Sequence, residues 1–163
     1  MDSVIVVIAK YALFLSLLVS VYVWLRLPRE LKWEFAVWAA LGGALALGLV
    51  KLGGALYYDQ RPFVTEHITP LFAHAPDNGF PSDHTAVSMF LAVCVLHYSR
   101  RWGIVLVAVS LAIGGARMAA HLHRPIDILG AIAIAVGSAL VAYPAAHWLA
   151  RRWPLPVRRL ERQ

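Results

Sequence analysis

The stretch NGFPSDHTAVSMFLAVCVLHY, residues 78–98, joins a cluster of polar residues to an apolar run. Pro81, Ser82, Asp83 and His84 stand together, and no charged residue occurs from Thr85 to Leu96. Serine and aspartate are typical of helix N-caps, whose free N–H groups favour anions. The stretch therefore predicts an apolar helix with polar groups at its mouth, which act either as a helix cap or as a reaction centre.

The rest of the chain is equally apolar, with 60% hydrophobic and 15% charged residues over 163 positions. A soluble domain carries about 25% charged residues. Five segments approach the ~20 residues that cross a bilayer, and they lie at about 4–25, 33–58, 82–98, 102–120 and 125–149. We expect an all-α fold: a polytopic membrane helix bundle of about five to six transmembrane helices, forming one domain over residues 1–163.

Three smaller features refine this expectation. The first segment lacks a basic start and a cleavage site, so it is interpreted as a retained span. Small residues permit close helix packing in lipid, and the second segment has glycines at positions 42, 43, 48, 53 and 54. Cys94 is the single cysteine, which excludes an intrachain disulfide and a zinc cluster of cysteines.

Positive charges are distributed unevenly over the connections. Ten of the 15 lysines and arginines belong to the 1–2 connection, the 3–4 connection and the basic C-terminal tail, 150–163. Cytoplasmic loops are enriched in such residues, so these parts are predicted to be cytoplasmic, with the long 59–81 loop facing outward. The same asymmetry explains the net charge of +6 without nucleic-acid binding.

Polar side chains within membrane segments are costly and usually functional. Here they come from three separate stretches, yet the predicted topology places them on one face. They are Arg61, Ser82, His84, Arg117, His123 and Asp127. A random distribution would place them on both faces, so we expect a shared site.

The stretch GARMAAHLHRPIDILG, residues 115–130, contains a histidine and an aspartate four positions apart. A carboxylate on one imidazole nitrogen fixes the tautomer and leaves the other nitrogen as nucleophile or base. Pro125 suits the first turn of a helix that begins near His123. The alternative interpretation is an interfacial histidine and a helix-start aspartate.

In YYDQRPF, residues 57–63, Arg61 is a planar cation suited to phosphate, and Pro62 ends the preceding helix. The alternative is an arginine that extends from a helix end toward the membrane surface. His67, His74, His97 and His147 follow no pattern that predicts a role.

Together the three stretches resemble the membrane-bound type-2 phosphatidic acid phosphatase (PAP2) superfamily. Its motifs are Lys-six residues-Arg-Pro, Pro-Ser-Gly-His, and Ser-Arg-five residues-His-three residues-Asp. The resemblance covers about residues 51–130, and Arg117, His123 and Asp127 fit the third motif fully. The sequence GFPSDH is most similar to the bacitracin-resistance type of undecaprenyl-diphosphate phosphatase.

Three positions depart from the family motifs. Gly54 occupies the lysine position, and Lys51 lies three residues earlier. Ala116 replaces the serine before Arg117, which removes a hydroxyl. Asp83 replaces the usual glycine, so a carboxylate either repels phosphate or orients a basic neighbour.

The resemblance implies roles for these residues. His123 would attack phosphorus, Asp127 would orient it, and His84 would protonate the leaving group and later activate water. The substrate phosphate would be bound by Arg61, Arg117, Ser82, Asp83 and Lys51. No metal or other cofactor is implied. The substrate would be a polyprenyl or phospholipid phosphate at the outer face of the bacterial cytoplasmic membrane, and the oligomeric state stays open.

Other functions compete with this one. His84, His121, His123 and Asp127 could form a metal site, although arginines are poor neighbours for a cation. A non-enzymatic transporter subunit or scaffold would need neither His84 nor His123. Among phosphatases, phosphatidylglycerophosphate, phosphatidic acid and diacylglycerol pyrophosphate are alternative substrates, because the motifs recognise phosphate rather than the lipid tail.

Overall fold

The chain folds into a bundle of long helices, described by a computed structural model over residues 1–153. The predicted basic tail lies outside the described residues from position 154 onward. The helices of the described part are α1 (Asp2–Arg26), α2 (Arg29–Leu56), α3 (Pro62–Thr65), α4 (Asp83–Tyr98), α5 (Arg100–Ala119) and α6 (Pro125–Arg152). The all-α prediction is confirmed, and each of the five apolar segments forms a helix. The short α3, which begins with Pro62 at its first position, was not expected.

Four of these helices, α1, α2, α5 and α6, are long and apolar enough to cross a membrane. The 16 residues of α4 extend about 24 Å at ~1.5 Å per residue, less than the ~30 Å of a bilayer core. This helix packs against α1, α2, α5 and α6. It therefore forms the centre of the bundle, and the longer helices separate it from lipid.

Small residues bring α6 close to its neighbours. Its buried alanines recur every three or four positions, at Ala131, Ala135, Ala139, Ala142, Ala146 and Ala150. The Trp38 indole N–H of α2 donates to the Ala139 carbonyl at 2.8 Å. Burial of apolar side chains contributes little to helix association in lipid, because the lipid tails are equally apolar. Close packing and hydrogen bonds of this kind therefore hold the bundle together.

The glycines of α2 differ in how closely other residues approach them. A Cβ at Gly42 would lie 2.8 Å from the Phe90 ring of α4, so this glycine permits the close packing predicted from sequence. Gly48 would meet nothing within 4 Å and makes no such approach. In α5, a Cβ at Gly103 would collide with the backbone of Leu96, because α4 and α5 cross closely at this point.

A buried carboxylate joins three helices at the end of the bundle where α2 begins and α4 and α6 end. Glu34 is only 8% exposed. It accepts a hydrogen bond from the Tyr98 hydroxyl at 3.0 Å and contacts His147 Nδ1 at 2.8 Å. The rings of Trp38, His97 and Tyr143 pack around Tyr98 and His147; sequence patterns predicted no role for either histidine of this cluster.

Replacing Glu34 with alanine should destabilise the bundle by about 2 kcal/mol, because Tyr98 and His147 lose a charged partner. We expect the thermal unfolding midpoint of purified protein to fall by roughly 4–8 °C. Glu30→Ala, an exposed position in the first turn of the same helix, is the matched control. Equal midpoints for the two variants would contradict this role of Glu34.

Candidate active site

A polar cavity of about 340 Å³ opens at the opposite end of the bundle, where α2 ends and α4 and α6 begin. Its wall contains six of the residues predicted from sequence: Lys51, Arg61, Asp83, His84, Arg117 and His123. Asp127 lies directly behind His123. Residues from α2, the 57–82 loop, α4, α5 and the α5–α6 turn thus meet at one place.

His123 lies in the turn before α6 and is 4% exposed. Its Nδ1 is 3.2 Å from Asp127 Oδ2, and its Nε2 is 3.3 Å from Arg61 Nη1. Asp127 Oδ2 also accepts the Arg124 backbone N–H at 2.8 Å, which fixes the carboxylate at the third position of α6. A carboxylate on Nδ1 keeps the proton there, so the lone pair of Nε2 is available at the cavity.

The surroundings of His123 favour its neutral form. Burial lowers the pKa of His123, the hydrogen bond to Asp127 partly offsets this, and the charges of Arg117 and Arg61 lower it further. The net direction is below the ordinary value of about 6.5. Near neutral pH the imidazole is therefore uncharged and can act as a nucleophile.

Arg61 is held rigidly beside the histidine. It is 6% exposed and immediately precedes α3. Its Nε donates to Asp77 Oδ1 at 2.7 Å, Nη1 to the Leu122 carbonyl at 2.9 Å, and Nη2 to the Asn78 carbonyl at 3.1 Å. Burial alone would raise the pKa of Asp77, but the hydrogen bond and charge of Arg61 hold it below its usual range.

The Asn78 side chain organises the 57–82 loop that carries Arg61. Its Oδ1 accepts the backbone N–H groups of Asp59 and Phe80 at 2.9 and 3.0 Å. Its Nδ2 donates to the carbonyls of Gly54 and Tyr57 at 2.8 and 3.0 Å. The only sequence signal for this arrangement is the turn-forming run PDNG at residues 76–79.

Contacts of the same loop explain why position 54 is a glycine, where the family motif has a lysine. A Cβ at Gly54 would lie 3.1 Å from the Phe80 carbonyl oxygen, so a lysine at this position would crowd the loop. Lys51, one helical turn earlier, is exposed and lines the cavity. The structure therefore places a lysine at the cavity from a different position of α2.

Arg117 connects the cavity to α1. It is 4% exposed, its Nη1 donates to the Ala9 carbonyl at 3.3 Å, and its Nη2 lies 3.4 Å from His74 Nε2. Its Nε is buried and has no hydrogen-bond partner within residues 1–153. Arg117 thus lines the cavity while its guanidinium is held between α1 and the loop that carries His74.

At the start of α4, the hydroxyl of one residue predicted to bind phosphate is buried. Ser82 precedes α4, but its hydroxyl makes no capping hydrogen bond. The side chain is fully buried, and its Oγ lies 3.1 Å from Thr85 Oγ1. The Ser82 N–H donates instead to the Asp127 carbonyl at 3.2 Å. This bond links the start of α4 to α6, and the next two residues, Asp83 and His84, line the cavity.

A second carboxyl group stands behind His123. Burial raises the pKa of Asp59, and the negative charge of the nearby Asp127 raises it further. Asp59 Oδ2 and Asp127 Oδ1 have no hydrogen-bond partner in the described part of the chain. Arg124 Nε, 3.7 Å from Asp59 Oδ1, balances part of this negative charge. No motif pointed to Asp59.

An apolar cavity of about 180 Å³ adjoins the polar one and lies among α1, α2 and α4. Val50 and Asp83 line both cavities. The remaining wall is apolar, with side chains or backbone of Leu17, Ala39, Gly43, Ala46, Leu47, Ala86, Val87, Phe90 and Leu91. A charged site and an apolar space are thus neighbours that share part of their walls.

Known proteins are similar to this chain over most of its length. The sequence profile of the PAP2 superfamily matches residues 32–151. Undecaprenyl-diphosphatase BcrC of Bacillus subtilis (strain 168) is 31% identical over 136 residues, which cover 83% of this chain and 70% of the relative. The protein named bacitracin transport permease protein BcrC, of Bacillus licheniformis, is 26% identical over 144 residues, or 88% and 70% of the two chains. No solved structure matches the chain.

Proposed function

This chain belongs to the PAP2 superfamily and is a membrane lipid phosphatase, and we propose that it hydrolyses undecaprenyl diphosphate to undecaprenyl phosphate and inorganic phosphate. The observation that carries the proposal is His123, whose Nδ1 is held by Asp127 while Nε2 meets the polar cavity beside Arg61. The named diphosphatase among the relatives supports the choice of substrate. The alternative is another lipid phosphate, as the polar residues recognise phosphate alone.

The first chemical step is attack by His123 Nε2 on the terminal phosphorus, giving a phosphohistidine. Asp127 stabilises the positive charge that develops on the imidazole. Arg61, Arg117 and Lys51 bind the phosphoryl oxygens, together with the backbone N–H groups of Asp83 and His84 at the start of α4. Preorganised cations of this kind stabilise the charge of a phosphoryl-transfer transition state.

His84 acts as the acid and then the base. It lines the cavity with His123, so it protonates the departing lipid phosphate and afterwards removes a proton from the attacking water. Water then cleaves the N–P bond and releases inorganic phosphate. The Asp83 carboxylate lies within electrostatic reach of Arg117, and we propose that it helps to hold that cation at the phosphate site.

Placement in the membrane follows from the same proposal. The cavity faces the end of the bundle opposite to the cluster of lysines and arginines at the ends of α1, α4 and α6. With the positive end cytoplasmic, the site opens at the outer face of the bacterial cytoplasmic membrane and the C-terminus is cytoplasmic. Lipid diphosphate released there by cell-wall synthesis then reaches the site without crossing the bilayer.

A panel assay tests the function. Purified protein is given undecaprenyl diphosphate, phosphatidylglycerophosphate, phosphatidic acid and diacylglycerol pyrophosphate, and phosphate release is measured with and without a chelator. We expect the highest kcat/KM for undecaprenyl diphosphate, no effect of the chelator, and an acid-labile, base-stable phosphoprotein after rapid quenching. A higher kcat/KM for another lipid would identify that lipid as the substrate instead. Loss of activity with the chelator that zinc restores would favour the metal site.

The apolar cavity provides a place for the lipid chain. We expect Gly43→Leu to fill it, since a Cβ there meets only the Phe90 ring, at 3.7 Å. This substitution should raise KM for the long-chain substrate about tenfold with little change for a short-chain analogue. Gly48→Leu, on the same helix with nothing within 4 Å of the new Cβ, is the control. Equal KM values for both variants and wild type would exclude this cavity.

A further inference from the structure

His74 belongs to the wall of the polar cavity although it lies in the 57–82 loop and in none of the motifs. Its Nε2 is 3.4 Å from Arg117 Nη2. Its Nδ1 is 3.1 Å from the Ala75 carbonyl and 4.0 Å from Asp77 Oδ1. The ring thus has one nitrogen anchored on its own loop and the other directed at a guanidinium of the site.

The basic groups of the cavity differ in which histidine they adjoin. Arg61 contacts His123 directly. Arg117 lies within electrostatic reach of both His123 and His84, and His74 lies within reach of His84. In an in-line displacement the leaving oxygen is opposite the nucleophile, where it receives the proton of His84. His74 therefore adjoins the group that departs with the lipid, and Arg117, 3.4 Å from it, reaches both this group and the transferred phosphoryl group.

That group differs between two classes of substrate. With a lipid diphosphate, the bond from His123 Nε2 to the terminal phosphorus forms as the P–O bond to the bridging oxygen breaks. The electron pair stays on the bridging oxygen, and the leaving group is an anionic lipid phosphate. With a lipid monophosphate the leaving group is an alcohol, and no phosphate occupies this part of the cavity.

We propose that His74 and Arg117 together bind the phosphate that leaves with the lipid, and that His74 is a specificity-determining residue for diphosphates over monophosphates. This inference rests on the proposed function of the site. Asp77 supports the role, because its carboxylate lies 4.0 Å from Nδ1 and helps to orient the ring. With an Nε2–H directed at the anion, His74 and the neighbouring Arg117 Nη2 are two donors side by side.

The test compares His74→Gln with wild type on undecaprenyl diphosphate and on phosphatidic acid. We expect kcat/KM for the diphosphate to fall at least about tenfold, the effect of losing a charge-assisted hydrogen bond. The value for the monophosphate should change less than about twofold. His67 is an exposed histidine of the same loop with a φ of 53°, and His67→Asn, which tolerates this backbone region, should leave both values unchanged.

Inhibition is measured as a second test, in case one lipid is hydrolysed too slowly for kcat/KM to be determined. Methylenediphosphonate, which cannot be hydrolysed, and inorganic phosphate are used as inhibitors. His74→Gln should weaken inhibition by the diphosphonate about tenfold and leave that by phosphate unchanged. Equal losses for both compounds would show that His74 only positions Arg117, and no loss would exclude it from the site. Absence of phosphate release by wild type from every lipid would instead refute the proposed function.

Discussion

A His123→Ala variant is expected to release phosphate from lipid diphosphate at least about 10⁴-fold more slowly than wild type. The substitution removes the nitrogen that meets the cavity beside Arg61 and leaves Asp127 without an imidazole to orient. The phosphoprotein should disappear at the same time. Rates are measured with purified protein, and phosphoprotein by rapid base quenching.

The loss of activity can be attributed to the missing nucleophile only if the variant still folds. His123 lies in a turn, and Asp127 keeps the Arg124 N–H as a partner without it. We therefore expect the unfolding midpoint to change by only a few degrees. His121→Asn is the control in the same turn, because His121 has a φ of 62° and asparagine tolerates this backbone region. Near-normal turnover by His123→Ala would refute the assignment of the nucleophile.

Asp127→Asn should lower kcat by roughly 10²- to 10⁴-fold, since an amide does not fix the imidazole tautomer as a carboxylate does. The pH dependence of activity is an independent test of the same arrangement. The pKa of His123 is lowered in the wild type, and only the neutral ring attacks. Activity should therefore persist as pH falls below about 6.5, and be lost only as pH falls through the lowered pKa.

In Asp127→Asn this acid limb should move to still lower pH, because the carboxylate that raises the pKa of His123 is gone. The profile of kcat/KM against pH reports the free enzyme and is the measurement of choice. Glu66→Gln removes an exposed carboxylate near Arg124 and should leave the limb in place. A limb that moves upward in Asp127→Asn would contradict the proposed arrangement.

The helices and most of the site were predictable because each depends on local or strictly spaced residues. Long uncharged runs predict membrane helices. The sequence spacing of Arg117, His123 and Asp127 brings these three side chains together in the folded chain, as predicted. The turn geometry also followed: α6 begins with Pro125, two residues after His123. Burial of Ser82 could not be read from its position, because it depends on Thr85 and on a hydrogen bond to the distant Asp127.

The 57–82 loop shows why the remainder was missed. Asn78, Asp77 and His74 obtain their roles from contacts with Gly54, Arg61 and Arg117, which lie between 16 and 43 positions away in sequence. Such a loop has no periodicity to read. The same holds for Glu34, whose partners at positions 98 and 147 lie on other helices.

The contact between Arg117 and α1 bears on how such enzymes diversify. The acceptor is the backbone carbonyl of Ala9, whose small side chain is buried in the bundle. Selection at this position consequently acts on the depth and rotation of the first helix, while the exposed side chains of that helix can vary with the surrounding lipid. First helices of related proteins should therefore be exchangeable as whole cassettes when their registers agree, and a shift of one residue should disable the recipient.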